Sequence, residues 1–484
     1  MQETYKKQVW QHFEEFANYL DRWRDRNLYY YQDIEKLHQF LIPQNSNVLE
    51  IGCGTGELLA ATKPNVGVGI DFSESVIAIA QQKYPDLKFY VLDAEQLTHE
   101  QLSFPNFDYI ILSGTMGYLS NIQAVLENLQ AFCHPQTRII ISFHNYLWEP
   151  LLWLAEKVRQ RRPQPLQNWL AMPDIINFLE ITGYIPIKQS RRFLFPKNIP
   201  IIAKLINQFI CHLPLIDHLC LTHYVVARKR FEESSNQSVT SSLPSVSIVV
   251  PTRNESGNIK SIFSRIPALG SHTEIIFVEG NSTDDTWDSI QLELERQPTH
   301  PQFSYRAFKQ TGKGKGDAVR LGFSHAKGDI LMILDADLTV APEVLPQFLT
   351  AIASGKGEFI NGSRLVYPRS DVAMPWLNTL ANKFFASLFS FLLNQRLKDT
   401  LCGTKVLWRR DYERIVAQRH YFGDFDPFGD FDLLFGAAKL NLHIVEVPIR
   451  YQPRTYGSSN ISHFREGIIL LKMCVYAARK IRFL

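Results

Sequence analysis

The sequence predicts two α/β domains joined by a short polar linker, and three observations carry that prediction. The first is capacity: 484 residues at 45% hydrophobic content exceed what a single core accommodates, since one core stops growing beyond about 250–300 residues. The second is a break in composition, where residues 231–244 run Phe-Glu-Glu-Ser-Ser-Asn-Gln-Ser-Val-Thr-Ser-Ser-Leu-Pro and offer almost nothing to bury. The third is order: on both sides of that break, short β-branched runs alternate with helix-like segments, the order that builds a parallel sheet covered by helices. The expected division is residues 1–230, a linker at 231–244, and residues 245–484. The two halves share no motif, so the chain reads as a fusion and not as an internal repeat.

In the first half the expected strands are Val48–Ile51, Val66–Ile70, Leu87–Leu92, Tyr109–Leu112, Arg138–Phe143 and Tyr224–Ala227. Between the first strand and the helix after it lies Gly52-Cys-Gly54-Thr-Gly56, a turn whose missing side chains let a ligand approach the backbone. The second strand ends at Asp71, where a carboxylate can accept both hydroxyls of a ribose, and the third ends at Asp93. The dinucleotide fingerprint GxGxxG is not matched. This succession resembles the class I S-adenosylmethionine-dependent methyltransferases over most of residues 40–230. The resemblance implies a Rossmann-like fold, with Glu50, Gly52, Gly54 and Gly56 at the methionine end of S-adenosylmethionine, Asp71 at the ribose, and Asp93 with Ala94 at the adenine. After the fourth strand, Ser113-Gly-Thr-Met-Gly-Tyr lacks the Asn/Asp-Pro-Pro-Tyr motif of nucleic-acid amino methylation, so a small molecule or a lipid-linked sugar is the expected acceptor. His144 and Tyr146 are candidate bases or acceptor contacts beside an ordinary structural role. The helical spacing of Trp148, Leu151, Leu152, Leu154 and Ala155 predicts a helix over the acceptor side, or a core-packing face.

In the second half the expected strands include Val246–Val250, Glu274–Val278, Ile330–Leu334, Phe359–Ile360 and His443–Val447. Val246-Ser-Ile-Val-Val-Pro-Thr-Arg-Asn-Glu reads as a buried strand breaking at Pro251 into a helix. Gly312-Lys-Gly-Lys-Gly-Asp-Ala opens another helix and sets Lys313, Lys315 and free backbone amides where phosphate charge could be neutralised. The Walker spacing is absent. The strongest signal is Ile330-Leu-Met-Ile-Leu-Asp335-Ala-Asp337, an apolar strand ending in two acids that repel unless a cation joins them. A hard Mg²⁺ or Mn²⁺ bridging a diphosphate satisfies that charge.

These residues together resemble family 2 glycosyltransferases of the GT-A fold, in the branch like dolichol-phosphate mannose synthase, over nearly all of residues 245–465. The resemblance implies nucleotide-sugar contacts at Pro251, Arg253, Glu255, Glu279 and Ala336, metal contacts at Asp335 and Asp337, and phosphate contacts from Arg364 and Arg454. Two positions depart from the branch: Gly280 stands where a nucleotide-recognising carboxylate is usual, and Asn460 where a lysine is. In Phe422-Gly-Asp-Phe-Asp-Pro-Phe-Gly-Asp-Phe-Asp, Asp430 and Asp432 are the candidate bases for a hydroxyl acceptor.

Composition excludes other classes. The 51 basic and 48 acidic side chains nearly cancel, which gives no polyelectrolyte signature and no expected nucleic-acid partner. The six cysteines are scattered without CxxC spacing, and Met1 to Gln11 lacks an apolar signal core, so a reduced, cytoplasmic chain is expected. No run reaches the roughly 18 apolar residues of a membrane span. An apolar stripe at Trp376, Leu380, Phe384, Leu388 and Leu392, widened by Leu377, Phe385, Phe389 and Leu393, together with a basic C-terminal helix, predicts peripheral binding at the inner membrane face or else packing within the fold. The expected function is bifunctional: sugar transfer from a nucleotide-sugar to a polyprenyl phosphate, lipid-linked or glycan acceptor, and methyl transfer to a related acceptor. The alternative is a glycosyltransferase with an S-adenosylmethionine-binding regulatory or scaffold domain.

Overall fold

Runs such as Val48-Leu-Glu-Ile and Ile110-Ile-Leu are apolar on both faces, and they become central strands because helices cover the sheet on both sides. The computed structural model describes every residue except 1, 103, 105, 232–242, 298–299, 368–375, 422–428, 458–462 and 483–484. Most of the expected linker therefore lies outside the described residues. The chain forms two compact units that divide at residue 231.

The N-terminal unit opens with helices Gln2–Phe16, Leu20–Arg26 and Leu28–Leu41. Its seven strands are β1 (Asn47–Ile51), β2 (Val66–Asp71), β3 (Lys88–Val91), β4 (Phe107–Ser113), β5 (Cys133–His144), β6 (Tyr184–Arg192) and β7 (Thr222–Lys229). They lie in the order β3-β2-β1-β4-β5-β7-β6. The first five are parallel, while β7 runs antiparallel to β5 and β6 antiparallel to β7, so the sheet is mixed and not wholly parallel. The sequence reading missed β6: Tyr-Ile-Pro-Ile-Lys-Gln-Ser-Arg-Arg is a half-polar edge strand, and its proline sits at a shift in register. Val48, Leu49, Ile110, Ile111 and Ile140 are fully buried, each worth about 1.5–3 kcal/mol of burial.

The C-terminal unit continues with β8 (Val246–Thr252), β9 (Thr273–Glu279), β10 (Phe303–Lys309), β11 (Ile330–Ile333), β12 (Phe359–Ser363), β13 (Lys405–Trp408) and β14 (Ile444–Pro448). Their order is β10-β9-β8-β11-β13-β12-β14. This sheet is also mixed, because β13 runs antiparallel to both β11 and β12. β10 and β13 went unread: the first is an edge strand alternating polar and apolar residues, and the second has only four residues.

The apolar stripe on helix Trp376–Leu393 is largely core. Phe385, Phe389, Leu392 and Leu393 are buried, and the Phe389 ring lies 5.0 Å from Phe431 and 5.4 Å from Phe435. Asn382 is buried and donates to Asp399 at 3.0 Å. Phe384 alone of that stripe's described aromatics is exposed; the side chains of Trp376, Leu377 and Leu380 lie outside the described residues. On helix His463–Ala477, Leu470, Met473, Cys474 and Ala477 are buried while Leu471 and Val475 are exposed. Helical spacing shows that a face is apolar without showing what covers it. No helix among the described residues is long and apolar enough to cross a membrane.

Candidate functional sites

In the N-terminal unit, β1 to β4 end together above the sheet, the usual place for a ligand in an open α/β fold. A cavity of about 400 Å³ opens there and is lined by Glu50, Gly52, Gly54, Asp71, Asp93 and Ala94, so six of the seven expected contacts share one wall. Gly52, Gly54 and Gly56 have φ of +67°, +54° and +87°, backbone that favours glycine. A β-carbon on Gly54 would meet nothing within 4 Å, so its freedom leaves open space for a ligand. At Gly56 a β-carbon would collide with Phe89, so that glycine serves packing, and it does not line the cavity.

The acids are fixed in distinct ways. Asp71 accepts from the Gly54 amide at 3.1 Å and the Ser73 amide at 3.1 Å, and burial raises its carboxyl to about 6. Glu50 is 3% exposed with Oε2 unpartnered, and burial, then Glu57 and Asp71, hold its pKa well above the carboxylate range. Asp93 accepts from the Glu95 amide at 3.0 Å and pairs with Lys6. The orphaned oxygen of Glu50 and the open cradle at Gly54 fit a ligand with a cationic amino group and a ribose.

The remaining walls combine His144, Leu152 and Ala155, which the sequence had put forward for the acceptor side, with residues it did not single out. The N-terminal helices contribute Phe13, Trp23, Tyr30 and Tyr31, and the later chain adds Tyr118, His144, Leu152, Ala155, Arg161, Arg162 and Lys197. His144 Nε2 lies 3.0 Å from the Tyr30 hydroxyl, and burial, then Arg161, lowers its pKa to about 3, so the imidazole is neutral. Tyr146 is exposed and outside the cavity. The expected acceptor-side helix runs Glu149–Lys157: Leu152 and Ala155 face the cavity, whereas Leu151 and Leu154 face water.

In the C-terminal unit, β11 delivers Asp335 and Asp337 to the sheet edge. Each acid already holds a cation. Asp335 Oδ1 pairs with Lys315 Nζ at 2.6 Å, and Asp337 Oδ2 accepts from Arg454 Nη2 at 2.9 Å. Arg454 also donates to Glu255 at 2.7 Å, which joins three segments of chain at one guanidinium. Asp337 Oδ1 accepts from the Thr339 hydroxyl at 2.8 Å and its amide at 3.1 Å. Burial would raise the Asp335 carboxyl, but Lys315, Lys405 and Arg364 outweigh it and keep the pKa below the usual value. Gly403 brings its backbone so close that a β-carbon would strike both the Asp335 carboxylate and the Lys315 ammonium.

Other expected contacts fall elsewhere. Lys313 and Arg253 are exposed, and neither makes an ion pair among the described residues. Ala336 is buried between the two acids in sequence, and Pro251 sits within β8. Glu279 is spent on the Ser282 amide at 2.5 Å. Beside Gly280 stands Gln310, whose amide oxygen a β-carbon at that glycine would meet at 3.2 Å. Arg364, expected on phosphate, is instead locked to the fully buried Asp399 by Nε at 2.7 Å and Nη2 at 2.9 Å. Asp432, expected as a base, is held by Arg419 at 3.2 Å and Arg320 at 3.7 Å, and a carboxylate between two guanidiniums is a poor proton acceptor. The Asp430 side chain, Asn460 and residues 422–428 lie outside the described residues.

Among the described residues no group of three or more His, Cys, Asp or Glu could hold a metal by itself. Two carboxylates suit a hard divalent ion that takes its other ligands from a diphosphate and water.

Residues 49–139 match the family model described as a methyltransferase domain, and residues 247–416 match glycosyl transferase family 2. A dolichol-phosphate mannosyltransferase of Pyrococcus furiosus is 32% identical over 222 residues, 45% of this chain and 59% of that protein. An undecaprenyl-phosphate 4-deoxy-4-formamido-L-arabinose transferase of Shewanella sediminis is 25% identical over 218 residues, 44% of this chain and 61% of that one. The chain thus spans about three fifths of the length of the curated relatives it matches. A Thermotoga maritima S-adenosylmethionine-dependent methyltransferase covers 46% of this chain and all of its own at 15% identity, with a TM-score of 0.36, too loose to add to the assignment. One chain therefore carries a methyltransferase domain followed by a family 2 glycosyltransferase domain.

Proposed function

We propose that this protein is a bifunctional transferase. Its C-terminal unit moves a sugar from a nucleotide-sugar to a polyprenyl phosphate or another lipid-linked acceptor, using Mg²⁺ or Mn²⁺ at Asp335 and Asp337. Its N-terminal unit moves a methyl group from S-adenosylmethionine to a related acceptor. The observation that carries the reading is the acid pair at the end of β11 with Lys315 and Arg454 already on it, which sets both signs of charge where a metal-bound diphosphate must sit. The metal would neutralise charge on the departing nucleotide. Lys315 and Arg454 turn from their carboxylates to the donor's phosphates, and the missing side chain of Gly403 leaves room for Asp335 and Lys315 beside its backbone.

In the other unit, S-adenosylmethionine supplies an electrophilic methyl group. Glu50 accepts from its amino group and Asp71 from its ribose hydroxyls, while His144, neutral and inside the cavity, offers its imidazole as a hydrogen-bonding partner that orients the acceptor. A lipid-borne acceptor also suits helix Glu149–Lys157, which turns Leu151, Trp153 and Leu154 to the outside.

The test supplies the full-length protein with polyprenyl phosphate, a panel of nucleotide-sugars and Mn²⁺, and follows label from sugar and from methyl separately. Chelation with EDTA or Asp337→Ala is expected to lower sugar transfer at least a hundredfold and leave methyl transfer unchanged. Full sugar transfer by Asp337→Ala in excess EDTA overturns the metal assignment.

A further inference from the structure

Most charged groups lining the N-terminal cavity are paired among the described residues. Asp93 and Glu95 are both paired with Lys6, Glu35 with Arg24, Glu57 with Lys83, and Arg161 with Glu156 at 2.5 Å. Glu50 and Asp71 remain for the amino and ribose groups of the methyl donor. Two lining cations are left over. Lys197 meets only the neutral Gln160 oxygen, at 2.8 Å, and Arg162 makes no ion pair among the described residues.

Arg162 is placed in an unusual way for a surface arginine. Its guanidinium carbon stands 5.0 Å from the centre of the Phe13 ring, a cation–π contact that gives none of its N–H groups an oxygen acceptor. The edge carries the donors, and Nη1 is buried without a hydrogen-bond partner. A cationic N–H shut from water without an acceptor is unfavourable, so the ligand-free cavity holds a donor edge awaiting an oxyanion. Among the described residues no carboxylate forms an ion pair with it. Phe13 packs at 5.2 Å on Tyr118, whose hydroxyl is committed to Gln164 at 2.5 Å, and His12 and His144 are imidazoles that burial keeps neutral.

We propose that this cavity binds, beside the methyl donor, a molecule bearing a phosphate or carboxylate, and that Arg162 and Lys197 hold that anion. The proposal rests on the methyltransferase reading of the cavity and names its acceptor class: a hydroxyl-bearing anion, such as an acidic or phosphorylated sugar, whose charge is fixed while its hydroxyl faces His144. Bidentate contact from the Arg162 edge would orient the acceptor, and Lys197, exposed at the mouth, would draw it in.

The test titrates the full-length protein, saturated with S-adenosylhomocysteine, with glucose 6-phosphate, glucuronate and uncharged glucose in a calorimeter. Wild type is expected to bind both anions and not glucose, with Arg162→Gln weakening anion binding at least tenfold and leaving S-adenosylhomocysteine affinity within twofold. Anion binding at the C-terminal unit is common to both proteins and cancels in the comparison. If Arg162→Gln melts early, Lys197→Gln, a change at an exposed position, must still weaken binding threefold or more. Anionic phospholipid vesicles form a second arm: Arg162-dependent vesicle binding without binding of the soluble anions makes the anion lipid-borne and sustains the proposal. Equal anion and vesicle binding by wild type and both variants overturns it. So does an equal loss of S-adenosylhomocysteine affinity, which would assign the two cations to the donor's own carboxylate. Failure of wild type to bind S-adenosylhomocysteine strikes the methyl-donor reading instead, and the anion titration run without it still decides this one.

Discussion

Replacing Arg364 separates a structural arginine from a phosphate-binding one. Its bidentate contact with Asp399 is set in a fully buried pocket, where Asn382 at 3.0 Å, the Leu401 amide at 3.1 Å and the backbone amide of residue 364 itself at 3.0 Å are the carboxylate's other donors. Burial would raise the Asp399 carboxyl, but Arg364 outweighs it and brings the pKa down to about 2. Arg364→Gln therefore leaves a buried carboxylate without its counter-charge, a change that costs about 3–5 kcal/mol in comparable pairs. The three remaining donors place this case near the lower end. For a unit of this size each kcal/mol moves Tm by about 2–4 °C, so the C-terminal transition should fall by roughly 10 °C in scanning calorimetry while the N-terminal transition stays put. Nucleotide-sugar affinity, measured at a temperature where the variant is folded, should change less than threefold. An unchanged Tm with strongly weakened nucleotide binding would refute the reasoning and return Arg364 to the phosphate. The pair also has a pH signature: the depressed pKa of Asp399 adds stability above about pH 4, and that stability is lost as the pH falls through about 2.

Three further outcomes are expected. Gly403→Ala places a carbon against Asp335 and Lys315 and should reduce sugar transfer at least a hundredfold in a radiolabel assay with methyl transfer unaffected; normal sugar transfer would show that this close approach is dispensable. Gly54→Ala meets no protein atom, so beyond about 1 kcal/mol of backbone strain it should leave the fold intact yet weaken S-adenosylhomocysteine binding at least tenfold in calorimetry, and unchanged affinity would contradict the cradle. Asp71 titrates near 6 and serves a ribose only as the carboxylate, so cofactor affinity should be flat above pH 7 and decline as the pH drops through 6, a dependence absent in Asp71→Asn. Its contribution to the stability of the empty protein runs the other way, present below about pH 4 and lost as the pH rises through 6.

Contiguity governs how much was legible in the sequence. The glycine turn, Asp71 and Asp93 fall within a few dozen residues, and regular β1–β2–β3 connections carry them to one sheet edge, so their gathering on one cavity wall was legible in the sequence. Asp335 and Asp337 were legible for the same reason, since an apolar strand ending in two acids has one place to put them. Partners were not legible. Arg454 reaches Glu255 and Asp337 across 199 and 117 residues, Lys315 and not Lys313 meets Asp335, and Arg364 finds Asp399 on another segment. Charge and spacing say that such groups need a counterpart; only the packed chain says which one is near enough. The helix Trp376–Leu393 shows the same limit in apolar form, because its stripe is written in the sequence while Phe431 and Phe435, which cover it, come from a helix that begins at Asp430. The sequence by itself determined which chemistries the two units contain, because strand, turn and acid are local. Tertiary structure decided which charges remain available for a ligand, because that depends on every other charge the fold brings within reach.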